Sequence, residues 1–200
     1  MGINHNKVAA MAARLHEIAA LPESEARCLP GEFYTCPDFF RFEVENFLKK
    51  EWHCLGRVDE VPNPGDYFTT QLFEESLLVI RGDDGMIRVL SNVCRHRGMP
   101  LAEGKGSARR LVCSYHAWSY ERDGRLANAP RMQDKGVGAH NCSLPSFRTE
   151  LWNGFIYVNL DDDAAPLAGR LGKLEALLAS YQTERMRLVH SQEEIWNTNW

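Results

Sequence analysis

The stretch Asn92–Tyr120, NVCRHRGMPLAEGKGSARRLVCSYHAWSY, holds Cys94-x-His96, then sixteen residues, then Cys113-x2-His116. An apolar run precedes each half, MIRVLSNV before the first loop and RLV before the second, so two strand ends each present one cysteine and one histidine. Similar runs extend in both directions: WHCLGRV, YFTTQLF and LLVIR upstream, FRTELW and GFIYVNL downstream. The turn signals NPGD, Asp83-Asp84-Gly85 and Asp123-Gly124 separate them. Short strands at this spacing, with Asp-Gly pairs for hairpins, predict a mainly β, antiparallel body over residues 52–160.

Outside this body the period changes from two to helical. Val8, Met11, Ala12, Leu15 and Ile18 recur on one face and stop before Pro22, predicting an amphipathic helix over 6–20. Residues 21–36 contain two prolines and a glycine and no usable period, and read as an extended connector. A second helix is expected from Pro37 to Lys50, with proline in its first turn and Phe39, Phe40, Phe47 and Leu48 available for burial. Ala168–Tyr181 returns to helical spacing through Leu171, Leu174, Leu177 and Leu178, and the tail RMRLVHSQEEIWNTNW reads as one more strand. The expected division is an N-terminal helical arm and connector (1–51), a β domain (52–160), and a C-terminal helix and strand (161–200).

With 44% hydrophobic and 25% charged residues, 200 residues suffice for a sizeable core. A net charge of −4 gives no broad basic field, so neither nucleic acid nor an anionic membrane surface is expected as a partner. The N-terminus lacks the apolar run of a signal peptide, and no stretch is long and apolar enough to span a membrane, which makes a cytoplasmic location the expectation. In that compartment six cysteines are thiols or metal ligands rather than disulfides. Cys28, Cys36, Cys54 and Cys142 have no histidine at a matching spacing and read as small buried hydrophobes.

Cys94, His96, Cys113 and His116 are the four ligands that a [2Fe-2S] core requires, two for each iron. Replacing two thiolates by imidazoles on one iron defines the Rieske centre. The neutral imidazoles remove two negative charges, so an added electron costs less. A structural zinc site competes for the same residue types, but zinc fingers usually group two cysteines and then two histidines, whereas the order here is Cys, His, Cys, His. Around the ligands stand Arg95, Arg97, Gly98, Ser114, Tyr115 and Trp118. Trp118 is placed to shield the cluster, and the arginines to tune its charge or to dock an acidic donor; plain packing and a solvated surface are the competing readings.

The motifs CxHRG and CxxHxW, with sixteen residues between His96 and Cys113, resemble the N-terminal domain of the α subunit of Rieske non-haem iron oxygenases, through Cys94, His96, Arg97, Gly98, Cys113, His116 and Trp118. Pro64-Gly65-Asp66-Tyr67 and Asn153-Gly154-Phe155 are also similar to that family. The resemblance implies that the cysteines hold an inner ferric iron and the histidines an outer, reducible one. It also implies an electron-donating reductase or ferredoxin as partner and assembly into a homo-oligomer, a trimer in the family. Ser114 stands where many members have proline. Respiratory Rieske proteins carry a further cysteine in each loop, joined as a disulfide, where this chain has Met99 and Tyr115. That difference favours the low-potential oxygenase or ferredoxin type.

In such oxygenases a separate mononuclear Fe(II), held by two histidines and a carboxylate, activates dioxygen. No two histidines here have the family's spacing for it, so no catalytic residue is assigned. The tail is similar to the first strand of the family's α+β catalytic domain, and the expectation is the leading part of a longer subunit. A free-standing Rieske-type ferredoxin remains the alternative.

Overall fold

The computed structural model describes residues 3–132 and 135–197. Two compact units form, one from the chain up to Glu51 together with the chain from Gln192 on, the other from Trp52–Ser191.

In the first unit α1 (His5–Ala19) begins at Asn4, whose side chain accepts a hydrogen bond from the Lys7 N–H at 3.2 Å and so satisfies one of the free donors at the helix start. Val8 and Met11 are buried with Phe33 of α2 (Glu32–Thr35) and with Cys36 and Phe39 beside and on α3 (Pro37–Asn46). The Phe33 and Phe39 rings meet edge to face at 5.3 Å. Two expectations change here. The connector contains the helical turn α2, because Phe33 gives it an apolar anchor after Pro30-Gly31. The second helix ends at Asn46 and continues only as a 3-10 turn at Leu48–Lys50, leaving Phe40 and Phe47 exposed at 42% and 59%.

The second unit is the antiparallel β body. Its strands are β1 (His53–Arg57), β2 (Asp66–Leu72), β3 (Glu75–Arg81), β4 (Ile87–Ser91), β5 (Lys105–Ser107), β6 (Leu111–Val112), β7 (Ser119–Tyr120), β8 (Leu126–Asn128), β9 (Ser146–Trp152) and β10 (Phe155–Asn159). Seven form one sheet in the order β1-β10-β9-β4-β3-β2-β5, and β6-β7-β8 form a second, small sheet. The hairpins at Asp84-Gly85 and Asp123-Gly124 form where expected, with Gly85 and Gly124 at positive φ. The strands β5, β7 and β8, two or three residues long, carry no readable alternation; β7 and β8 flank the Asp123-Gly124 turn, whereas β5 has no signal in the sequence.

β3 explains the layering. Leu77, Leu78, Val79 and Ile80 are all fully buried, which a strand achieves only with a core on each face. Leu77 and Val79 join Val61, Phe68, Ile87, Val89, Ile156 and Val158 on one side. Leu78 and Ile80 join Leu90, Cys94, Leu111, Cys113, Trp118, Tyr120 and Leu126 on the other. Residues of β1, at one end of the strand order, and of β2, next to the other end, both feed the first core through Leu55 and Phe68, so the sheet curls around it. The second core lies between the large sheet and the small one, and it contains both loop cysteines.

After β8, the short helix α4 (Ala139–Cys142) precedes β9. Beyond β10, α5 (Ala168–Leu178) forms as expected, yet none of its residues is buried; Leu174 and Leu177 are exposed. Segment 183–188 is fastened to the β body by Arg57, which donates to the carbonyls of Thr183 and Met186 and lies over the Phe155 ring at 4.8 Å. Asp59 adds a bond from the Leu188 N–H. The tail itself is no strand among the described residues, correcting the expectation for 161–200: a strand requires ladder bonds to a neighbour, and the described tail residues belong to no sheet. Cys28 and Cys54 are exposed and Cys142 is half-buried, so of the four cysteines read as buried only Cys36 is. No helix among the described residues is long and apolar enough to cross a membrane.

Gly65 sits at φ +94°, donating to the Arg81 carbonyl and accepting from the Ala108 N–H. A Cβ there would stand 2.7 Å from the Ala108 oxygen and 2.9 Å from Arg122 Nη2. Gly65→Ala is expected to cost about 1–3 kcal/mol in urea unfolding, combining backbone strain with a collision against main chain.

In the β3–β4 hairpin the Arg88 guanidinium, with the Met86 N–H, holds the Asp84 carboxyl well below the usual carboxylate range. A depressed folded pKa contributes stability that is complete above the unfolded value and lost as pH falls through the folded one. Asp84→Asn is therefore expected to melt below wild type at neutral pH, with the gap closing below about pH 4. A gap that is constant with pH would assign the loss to packing.

Candidate metal centre

The first loop leaves the large sheet after β4; the second joins β6 to β7 in the small sheet. They are the same turn. The Cys94 N–H donates to the Met99 carbonyl at 2.8 Å and the Gly98 N–H to the Cys94 carbonyl at 3.0 Å. In the second loop the Cys113 N–H donates to the Trp118 carbonyl at 2.8 Å and the Ala117 N–H to the Cys113 carbonyl at 3.0 Å. The residue four after each cysteine has positive φ, Gly98 at +71° and Ala117 at +58°. Each loop thus folds back on its own cysteine and places the histidine at the bend.

Cys94 and Cys113 are 2% and 3% exposed, within one apolar cluster. His96 and His116 are half-buried, with ring centroids 4.7 Å apart. The buried Trp118 indole stacks on His96 at 4.8 Å with planes 4° apart, and the Tyr115 ring lies 3.8 Å from that of His116. Arg95, Arg97, Gly98, Met99, Ser114 and Tyr115 are exposed around the imidazoles. Burial, followed by the neighbouring His96 and Arg97, lowers the His116 pKa, which favours its neutral form. Neutral imidazole is the form that ligates metal.

Residues 51–148 match the family described as Rieske [2Fe-2S] domain. This segment is a Rieske [2Fe-2S] domain. It is 35% identical over 175 residues to the glycine betaine monooxygenase oxygenase subunit of Chromohalobacter salexigens, covering 86% of this chain and 39% of that protein. To the carnitine monooxygenase oxygenase subunit of Escherichia coli it is 36% identical over 154 residues, covering 76% and 41%. The chain spans about two fifths of the length of these relatives. Among solved structures, the apo form of a quaternary ammonium Rieske monooxygenase superposes with a TM-score of 0.78 at 32% identity, over 85% of this chain and 52% of that one.

The donors of the Rieske domain fit its cluster. His116 Nδ1 is buried and has no hydrogen-bond partner, an arrangement that costs free energy unless a metal takes the lone pair. A single zinc ion needs four donors converging on one point. Among the described residues no three His, Cys, Asp or Glu side chains converge in that way. A two-iron core asks only for two thiolates at one end and two imidazoles at the other.

Sequence reasoning missed Tyr120. Fully buried on β7, its hydroxyl accepts from the Arg95 N–H at 3.0 Å and lies 3.4 Å from Cys94 Sγ. With the oxygen accepting from Arg95, the phenolic proton is left for the sulfur. Burial and the neighbouring Cys94 raise the phenol far above its ordinary pKa, so it stays protonated and able to donate. A lone tyrosine two residues beyond the CxxHxW pattern gives no spacing signal; only the register Leu111↔Tyr120 delivers it under Cys94.

Ala117 adopts a left-handed conformation that costs a residue with a Cβ roughly 1 kcal/mol relative to glycine. Ala117→Gly is expected to raise the stability of the domain by up to that amount, and Ala117→Val to lower it by more, both read from denaturant midpoints. Stability that falls in the glycine variant would show that the bend is held by something other than this turn.

Proposed function

We propose that Cys94 and Cys113 hold one iron and His96 and His116 the other iron of a [2Fe-2S] cluster, and that the chain is the electron-accepting part of a Rieske oxygenase subunit. When bound, the cluster supplies one-electron storage at a fixed position. The carrying observation is the paired geometry: two buried thiols and two adjacent half-buried imidazoles on matching turns. The apolar cluster around the cysteines excludes water from their side, and the histidine side is open to a partner. Tyr120 donates toward the Cys94 sulfur, which stabilises the more negative, reduced form. Trp118 fixes the plane of His96 by stacking.

In the same reading the N-terminal arm (1–51), the cluster domain (52–160) and the extension (161–200) lead a longer α subunit whose later domain holds a mononuclear Fe(II). That subunit works in the cytoplasm as a homo-oligomer, as a trimer by family likeness, and hydroxylates or demethylates a small organic substrate. The relatives at 35–36% identity, glycine betaine and carnitine monooxygenase subunits, support a quaternary ammonium compound as that substrate. A reductase or ferredoxin supplies the electrons. Arg95 and Arg97 flank His96, and neither cysteine–histidine loop contains an acidic residue, so the rim fits an acidic donor.

The test is reconstitution of the chain with iron and sulfide. A red-brown protein with a [2Fe-2S] electron paramagnetic resonance signal on reduction is expected, with a potential toward the low end of the range of about −150 to +300 mV. Cys94→Ala and Cys113→Ala should abolish the signal, and Tyr120→Phe should keep it at a lower potential. A colourless protein with stoichiometric zinc would refute the ligand set.

A further inference from the structure

The two turns are alike, but their bases are not. The second loop stands on a strand ladder, Val112↔Ser119 and Leu111↔Tyr120. Below the first loop pairing stops at the isolated bridge Val93↔Pro100. Asn92, the next residue down, accepts from the Leu101 N–H at 2.9 Å but gives its own N–H to the Ser76 carbonyl of β3 at 2.8 Å, so the rung to Leu101 is only half made. The Asn92 side chain supplies what is missing. Its Oδ1 accepts from the Ala102 N–H at 3.0 Å, and its Nδ2 donates to the Ala102 carbonyl at 3.0 Å and to Ser76 Oγ at 3.2 Å. Exchanging both bonds with the N–H and carbonyl of one residue is the pattern of a hydrogen-bonded antiparallel pair, here made by a side-chain amide. Asn92 is 3% exposed, and both of its N–H groups and its oxygen are used.

We propose that Asn92 is a positioning residue for the metal centre: its amide closes the base of the loop carrying Cys94 and His96 and so fixes where His96 stands against His116. The inference rests on the ligand set proposed above. Without the amide, the base of the loop keeps only the Val93–Pro100 bridge and the two backbone bonds of Asn92, and the N–H and carbonyl of Ala102 lose the bonds that the amide makes to them. His96 then samples a wider range of positions, and the iron it holds is released more readily. The second loop, with its own ladder, is unaffected.

The experiment uses the full chain reconstituted with iron and sulfide. Asn92→Asp keeps the volume and the acceptor but turns both donors into acceptors; Asn92→Ala removes all three bonds; Ser76→Ala removes only the 3.2 Å bond. Loss of visible absorbance in excess chelator is expected about tenfold faster in Asn92→Asp and Asn92→Ala, and about threefold faster in Ser76→Ala, the scale of one to a few buried hydrogen bonds. The reduced spectrum should broaden and the potential should shift in the Asn92 variants, changes that a merely structural role far from the cluster would not produce. Spectra, potential and loss rate all equal to wild type in Asn92→Asp and Ser76→Ala would overturn the assignment. Should Asn92→Ala fail to fold, those two variants still decide it. A wild-type chain that never takes up the cluster would instead overturn the ligand set, and with it this inference.

Discussion

Each half of the centre depends on one small constraint: a cysteine whose backbone N–H and carbonyl are both hydrogen-bonded to the turn that follows it. The bonds from Cys94 to Met99 and from Gly98 back to Cys94 recur as Cys113 to Trp118 and Ala117 to Cys113. They compel a left-handed residue at the fourth position, which glycine takes freely in one loop and alanine takes at a cost in the other. Much of the surrounding structure serves to hold these turns face to face. The doubly buried strand β3, the two-core layering and the small sheet β6-β7-β8 together carry the two cysteines into one apolar cluster.

That placement produces a polarity from inside to outside. Thiols lie at the bottom among Leu78, Ile80, Leu90 and Leu111, and imidazoles lie above them at the rim. Tyr120 reaches the sulfur from below, and Trp118 supports a histidine from the side. The charges exposed at the rim are arginines. The side chain that donates to sulfur is buried, and those that can meet a partner are exposed, so the tuning of the site and its recognition are separable by mutation.

Local features were readable from the sequence and tertiary ones were not. Cys-x-His and Cys-x2-His, the Asp-Gly hairpins and the apolar periods of α1, α3 and α5 are set within a few residues, and each has a counterpart in the fold. Strands β5, β7 and β8 are too short to show alternation, and α2 is held by a single phenylalanine. The tail from Met186 has strand-like composition, but composition cannot provide a ladder partner. Tyr120 and Asn92 each act through one contact formed across the fold, with no repeated spacing to announce it. The exposure of Cys28 and Cys54 has the same origin, because burial of a single small residue is decided by its neighbours in space.

The two turns hang from different sheets, the first from β4 of the large one and the second from β6 and β7 of the small one. Either turn can close by itself, since its bonds span only a handful of residues. The donor set exists only once the sheets have docked through Leu78, Leu90, Leu111 and Tyr120. Anything that holds all four donors therefore acts as a crosslink between sheets, and its free energy of binding adds to the free energy of their docking. Metal capture and the last step of assembly become one thermodynamic event, and a chain whose small sheet has not yet seated presents two half-sites, each able to capture a stray metal ion but neither able to complete the cluster.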